Sequence, residues 1–161
     1  MMKKKIAYIL ASYLGFGFSP FASGTVGSLM TLPLVFACAY YWGMQGIIAL
    51  TLISFILGVI ASKEVLKYTK HDPSLIVIDE VAGQSLSFVL LGNQLVGNMQ
   101  AWLVYLVGFA FFRLFDIWKP QPVGWADRKL LNAWGVMLDD IFAGIYAAIC
   151  LYLVNRYFSL F

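Results

Sequence analysis

The sequence predicts an all-α integral membrane protein, a helical bundle of about five spans with an N-terminal interfacial or re-entrant helix. Hydrophobic residues make up 61% of the 161 residues, charged residues only 12%, and the mean hydropathy is +0.82. Soluble domains carry about 25% charged residues, so most of this surface is expected to face lipid. The length fits one domain, residues 1–161.

The elements follow from apolar segments close to the roughly 20 residues that a bilayer crossing needs. A turn containing Gly43 and Gly46 joins the first two segments. Residues 6–18 are too short and too rich in glycine for another span, which favours an interfacial or re-entrant helix there. The five predicted spans are residues 29–41, 45–61, 76–91, 99–115 and 135–154.

The placement of charge predicts the orientation, because Lys and Arg favour cytoplasmic loops. With the N-terminus inside, the inner boundary collects the basic residues except Arg156, and the acidic residues lie at or near the same boundary. The turns at residues 42–46 and 92–98 carry no charge. One-sided chemistry of this kind predicts one functional face, at the inner leaflet.

The sequence argues against nucleic-acid binding and against a site built on its cysteines. The net charge of +3 is too small for a nucleic-acid-binding protein, and eight acidic residues offset the eleven basic ones. Cys38 and Cys150 lie in apolar runs without partner spacing. They are interpreted as small hydrophobic side chains and not as a disulfide or metal pair.

Acidic pairs interrupt two of the apolar runs. Asp79-Glu80 and Asp139-Asp140 each occur near the start of a span, and Asp116 adds another acid between Arg113 and Lys119 at helical spacing. Buried ions without partners cost several kcal/mol, so these carboxylates need cations. Oxygen ligands favour Mg²⁺ over Zn²⁺. Salt bridges to Arg113, Lys119 and Arg128 are the alternative, and a proton relay in a transporter is another.

A second polar region, residues 19–29, is rich in Gly and hydroxyl groups and leads into a helix. Backbone N–H groups at a helix start bind anions such as phosphate. The region lacks the lysine of a P-loop, but with Arg113 and Lys119 it forms a candidate phosphate cradle. His71 supplies the only imidazole in the chain and is a candidate general acid. An N-capping loop and an incidental histidine are the structural alternatives.

Five blocks, in order, are similar to the phosphatidylglycerophosphatase A family and span about residues 15–145. Ser23 and Ser74 depart from the residues usual in the family. The blocks are Ser19-Pro20 with Gly24-Thr25-x-Gly27-Ser28, His71-Asp72-Pro73 with Asp79-Glu80-x-x-Gly83, Arg113-x-x-Asp116-x-x-Lys119-Pro120-x-Pro122, Asp127-Arg128, and Met137-x-Asp139-Asp140-x-x-Ala143-Gly144.

The resemblance implies a membrane-embedded phosphatase domain of the bacterial inner membrane. It implies Mg²⁺-dependent conversion of phosphatidylglycerophosphate to phosphatidylglycerol at a cytoplasmic active face, within phospholipid biosynthesis. It also implies the site roles. The metal ligands are Asp79, Glu80, Asp116, Asp139 and Asp140; the phosphate-binding residues are Thr25, Ser28, Arg113, Lys119 and Arg128; the catalytic residues are Asp79, Asp139, Asp140 and His71.

The reaction route and the rival functions stay open at this point. No D-x-D signature of an aspartate nucleophile is present, which favours activated water over an aspartyl-phosphate. The D-G-x-x-A-R motif of CDP-alcohol phosphotransferases is also absent. An ion- or proton-coupled transporter is the nonenzymatic alternative. The acids gather at one boundary and no inverted repeat is visible, which argues against it.

Overall fold

A computed structural model describes residues 2–69, 74–97 and 101–158. Helix makes up 79% of the structure, and these three ranges contain no strand. The helices are α1 (Met2–Ala11), α2 (Ser23–Val65), α3 (Ile78–Leu86), α4 (Ala101–Trp118), α5 (Val123–Lys129) and α6 (Ala133–Phe158). The all-helical prediction is therefore confirmed.

Helix α2 folds back on itself at Gly43, whose φ of 57° and ψ of −143° lie outside the helical region. A Cβ on Gly27 would contact Val77, and one on Gly58 would contact the neighbouring residue, Ile78. In a straight helix Gly27 and Gly58 would be roughly 45 Å apart. The two halves of α2 thus form the antiparallel hairpin that the glycine-containing turn predicted.

Three helices, α2, α4 and α6, are long and apolar enough to cross a membrane. The second half of α2 exposes a stripe of Leu52, Ile56 and Ile60, each more than half accessible. Such a stripe is unfavourable in water but ordinary against lipid. The long apolar helices and this stripe support a membrane protein.

The prediction of about five spans is not confirmed. Residues 76–91 form the nine-residue helix α3 and a 3₁₀ turn at Val89–Leu91, well short of the length of a span. Most of α3 is buried inside the bundle, which explains why the segment is apolar without facing lipid. Helix α1 has ten residues and is also too short to cross, in agreement with its exclusion from the spans.

The bundle has two ends of different chemistry. At one end the α2 turn contacts the segment after α3, where the backbone N–H of Met44 donates to Asn93 Oδ1 at 2.9 Å. Asn155, near the end of α6, donates to Gln94 at the same end. The acidic residues near the starts of α3 and α6 and the end of α4 lie at the opposite end. We call this opposite end the acidic end.

Candidate active site

Three carboxylates from two helices converge at the acidic end. Asp116, from the last turns of α4, and Asp139 and Asp140, from α6, each offer one oxygen, and these three oxygens lie within 4.8 Å of one another. Asp139 and Asp140 are buried. Asp139 Oδ1 is shielded from solvent and has no hydrogen-bond partner in the described part of the chain. A buried, unpaired carboxylate oxygen is a ready ligand for a hard cation.

The other two predicted ligands lie close to this group but outside it. Asp140 lies within electrostatic range of Asp116, Glu80, Asp79 and Asp139, so all five acids lie close to one another. Asp79 Oδ1 accepts the backbone N–H of Glu80 at 2.9 Å. The structure thus brings the five predicted acids to one site, with three of them in position to share an ion.

Arg113 joins the two sides of the site. Its Nη1 lies 2.7 and 2.6 Å from the two carboxylate oxygens of Glu80, and Arg113 also pairs with Asp116 at 2.8 Å. Burial raises the pKa of Glu80 above its ordinary value, and the charge of Asp116 adds to this effect. Arg113 and a hydrogen bond from Ser28 oppose the shift. The salt-bridge alternative is therefore present in the structure, together with a carboxylate group suited to metal.

Ser28 and Gly24 connect the start of α2 to Glu80. Ser28 Oγ donates to Glu80 Oε2 at 2.5 Å. A Cβ on Gly24 would collide with Glu80 Oε1, and Arg113 and Ser28 hold that carboxylate in place, so the absence of a side chain at Gly24 allows the close approach. The hydroxyl predicted to bind phosphate is thus engaged by a carboxylate. Thr25 lies in the same first turn of α2 and is half-buried.

Lys119 closes the site on the other side of Asp139. The Lys119 Nζ lies 3.3 Å from Asp139 Oδ2 and forms an ion pair with Asp127. Burial alone would lower the pKa of Lys119, but the two carboxylates outweigh it and raise the pKa above its ordinary value. Lys119 therefore stays protonated. Its backbone adopts a left-handed conformation with φ of 50°, strain of the kind that clusters at functional sites.

Asp127 is a site contact that the sequence did not predict, because the sequence placed it only in the family-like block Asp127-Arg128 and gave it no site role. It reaches Lys119 because the chain turns at Pro120 and Pro122 before α5 begins. Arg128 is exposed and forms no ion pair within the described residues. The signal for the Asp127–Lys119 pair was the proline turn, which brings α5 back toward the end of α4.

Two glycines allow α3 and α6 to touch. A Cβ on Gly83 would lie 2.5 Å from the carbonyl oxygen of Asp140, and one on Gly144 would collide with the carbonyl oxygen of Gly83. Each glycine follows an acidic pair by three or four residues and lies on the same helix face as one of its acids. The repeated acid-acid-x-x-(x)-Gly pattern therefore builds both the ligands and the close helix contact that brings them together.

The remaining predicted residues are placed as follows. His71 lies outside the described residues. Ser23 and Ser74, the two departures from the family pattern, are linked, because Ser23 Oγ donates to the Ser74 carbonyl at 2.6 Å. That contact ties the start of α2 to the segment leading into α3. The acids, Arg113 and Lys119 meet at one site, while Arg128 lies at its exposed edge.

The fold and the site together define an apolar, all-helical protein with a buried acid–base cluster at one end of its bundle. The family model for phosphatidylglycerophosphatase A matches residues 9–155. The chain therefore belongs to the phosphatidylglycerophosphatase A family. This confirms the predicted resemblance and the assignment to the enzymes that hydrolyse phosphoric monoesters.

Two of three similar proteins carry the name of this family. The chain is 32% identical to phosphatidylglycerophosphatase A of Escherichia coli K12, over 95% of this chain and 86% of that protein. It is 33% identical to the enzyme of the same name from Haemophilus influenzae, over 92% and 88%. It is also 33% identical, over 88% of each, to a Bacteroides thetaiotaomicron protein named "Putative phosphatidylinositol-3-phosphatase". No solved structure matches the chain significantly.

Proposed function

We propose that this protein removes the terminal phosphate of phosphatidylglycerophosphate to give phosphatidylglycerol, in a Mg²⁺-dependent reaction of bacterial phospholipid synthesis. The observation that carries the proposal is the group of Asp116, Asp139 and Asp140 flanked by Arg113 and Lys119. Hydrolysis adds one water across the phosphoester: the bond from phosphorus to the lipid oxygen breaks, and that oxygen takes a proton. The proposal includes phosphate release toward the cytoplasm.

The donor set fits Mg²⁺. Three carboxylate oxygens lie close enough to share one ion, and Asp139 Oδ1 is buried without a partner. Asp116, Asp139 and Asp140 would hold the ion, with Asp79 and Glu80 adding negative charge nearby. Bound there, Mg²⁺ would supply Lewis-acid polarisation of the phosphoryl group. Carboxylate oxygens and this charge density are what a hard divalent cation requires.

The residues of the chain have separate parts in the proposed reaction. Lys119, held protonated between Asp127 and Asp139, attracts and orients the doubly charged phosphate. Arg113 forms ion pairs with Glu80 and Asp116 and so fixes their positions. Its buried Nε–H has no hydrogen-bond partner among the described residues, which leaves a donor available inside the site. Thr25 and Arg128 are further phosphate contacts in this proposal. We favour attack by water over an aspartyl-phosphate, and we assign His71 as a general acid.

Tryptophan placement supports a multi-pass arrangement with the site at one membrane boundary. All five tryptophans of the chain are exposed and lie at or near helix ends. Trp42 and Trp102 lie at the end of the bundle that contains the α2 turn. The other three, Trp118, Trp125 and Trp134, lie at the acidic end. Tryptophan favours the two membrane–water interfaces. The acid cluster then lies near the inner boundary of the bacterial cytoplasmic membrane, with the lysine-rich N-terminus inside.

The test is phosphate release by the purified protein in mixed micelles. Phosphatidylglycerophosphate and phosphatidylinositol 3-phosphate are compared with and without Mg²⁺, and again after chelation with EDTA. We expect Mg²⁺-dependent release from phosphatidylglycerophosphate, at least tenfold faster than from the inositol lipid. Preference for the inositol lipid would reassign the substrate. Metal-independent ion transport without phosphate release would favour the transporter alternative.

The nucleophile has its own test. Rapid quenching of a reaction with ³²P-labelled substrate should leave no acid-stable phosphoprotein if water attacks phosphorus directly. A phosphorylated aspartate trapped in amounts close to one per active site would replace that route with a covalent one. Either result leaves the substrate assignment intact, because both routes release the same products.

A further inference from the structure

A cavity of about 300 Å³ opens at the acidic end, and none of the acids of the candidate active site lines it. It lies between the end of α2 and the start of α6 and is not part of the acid cluster. Ala133 borders this cavity, whereas Asp140 comes seven residues later and therefore lies roughly 10 Å further along α6. The cavity, which we call the lysine pocket, is lined by Lys63, Leu66, Lys67, Leu131, Asn132 and Ala133.

The lysine pocket has an excess of positive charge. Lys67 forms an ion pair with Glu64, but Lys63 has no ion-pair partner in the described ranges of the chain. The ammonium group of Lys4 lies 4.1 Å from the centre of the Tyr68 ring, which brings the basic N-terminal helix beside the end of α2. Among the described residues of this region, Glu64 is the one acid against Lys4, Lys63 and Lys67, and an anionic ligand would complement the remaining positive charge.

The depth of the pocket matches the head-group layer of a membrane. Trp134, which follows the pocket residue Ala133, is 54% exposed, and its ring centre lies 5.9 Å from that of the partly buried Phe55 of α2. Tryptophan in such a position marks the interface. Leu66 and Leu131 give the pocket apolar walls, which suit the glycerol and upper acyl region of a lipid better than a free inorganic ion.

We propose that the lysine pocket binds the head group of an anionic phospholipid, at a site separate from the catalytic carboxylates. Lys63 and Lys67 would contact the lipid phosphate, and Leu66 and Leu131 its apolar part. Basic pockets between helices on the cytoplasmic side bind anionic head groups in this way. The competing explanation is a diffuse attraction, in which these lysines serve only the general excess of positive charge at the inner face.

The test is native mass spectrometry of the full-length protein released from micelles. The micelles contain equal amounts of dioleoyl phosphatidylglycerol and dioleoyl phosphatidylcholine. The pocket variant is Lys63→Gln with Lys67→Gln. A charge-retaining variant is Lys63→Arg with Lys67→Arg. The matched control is Lys5→Gln with Lys129→Gln, which removes the same charge from two exposed lysines outside the pocket lining.

We expect the wild type to retain phosphatidylglycerol in preference to phosphatidylcholine, and the glutamine pocket variant to lose that preference on the order of tenfold. The arginine variant and the matched control should keep it. Three results would each overturn the proposal: no preference in the wild type, an unchanged preference in the glutamine pocket variant, or an equal loss in the control. Binding of phosphatidylglycerol in the catalytic site alone would give the second of these results.

Discussion

The contact between α3 and α6 is the most direct test of how the site is assembled. In Gly83→Ala the new Cβ would lie 2.5 Å from the carbonyl oxygen of Asp140 and 2.6 Å from the ring of Phe112. Ordinary contacts need about 3.5 Å, so α3 and α6 must separate by on the order of 1 Å. Such a displacement at a reacting centre costs about a hundredfold in rate. We therefore expect kcat to fall about a hundredfold.

The assay is phosphate release from a short-chain phosphatidylglycerophosphate at saturating Mg²⁺, with thermal unfolding measured in parallel. The matched control is Gly58→Ala, because its Cβ would meet the thioether end of Met137 at a similar distance. That flexible end can rotate away, so the control should keep activity within a few-fold of wild type. Wild-type kcat in a folded Gly83→Ala variant would refute the argument that this helix contact positions the carboxylates.

Three further predictions follow from the side chains of the site and from the apolar segments. Asp139→Asn should abolish turnover, since it removes both a metal ligand and a partner of Lys119; a fully active purified variant would require a new ligand assignment. Lys119→Ala should raise KM more than it lowers kcat in steady-state assays, because Lys119 contributes charge for substrate binding; an unchanged KM would contradict that role. Cys38→Ala and Cys150→Ala should retain activity, and a large loss would show that these half-buried thiols do more than pack.

Much of the architecture was predictable from local pattern. Hydropathy predicted the long helices, and Gly43 marked the turn within α2. The prediction of a span at residues 76–91 was not confirmed, because hydropathy does not distinguish a helix facing lipid from one enclosed by protein. The short helix α3 is apolar because it is enclosed by protein. Only the packing of α2, α4 and α6 around α3 shows that this segment is enclosed by protein and does not face lipid.

In the candidate active site, the sequence identified the residue types but not all of the contacts between them. The acidic pairs and the Arg113-x-x-Asp116-x-x-Lys119 spacing identified the groups that meet. The sequence did not indicate that Ser28 would donate to Glu80 or that Asp127 would pair with Lys119. Those contacts join residues on different helices or across a proline turn. They depend on how the helices pack, which the periodicity of the sequence does not encode.

By itself the sequence determined the strongly apolar character of the protein, its helical class, its family and the chemical types of its candidate site residues. Those properties depend on composition, period and motif, which are local and additive. The tertiary structure alone decided which three carboxylates share one position and which cations hold their neighbours. The reason is geometric: glycines at the α3–α6 contact and at the start of α2 allow backbones and carboxylates to approach within contact distance, and that approach exists only once the helices have packed.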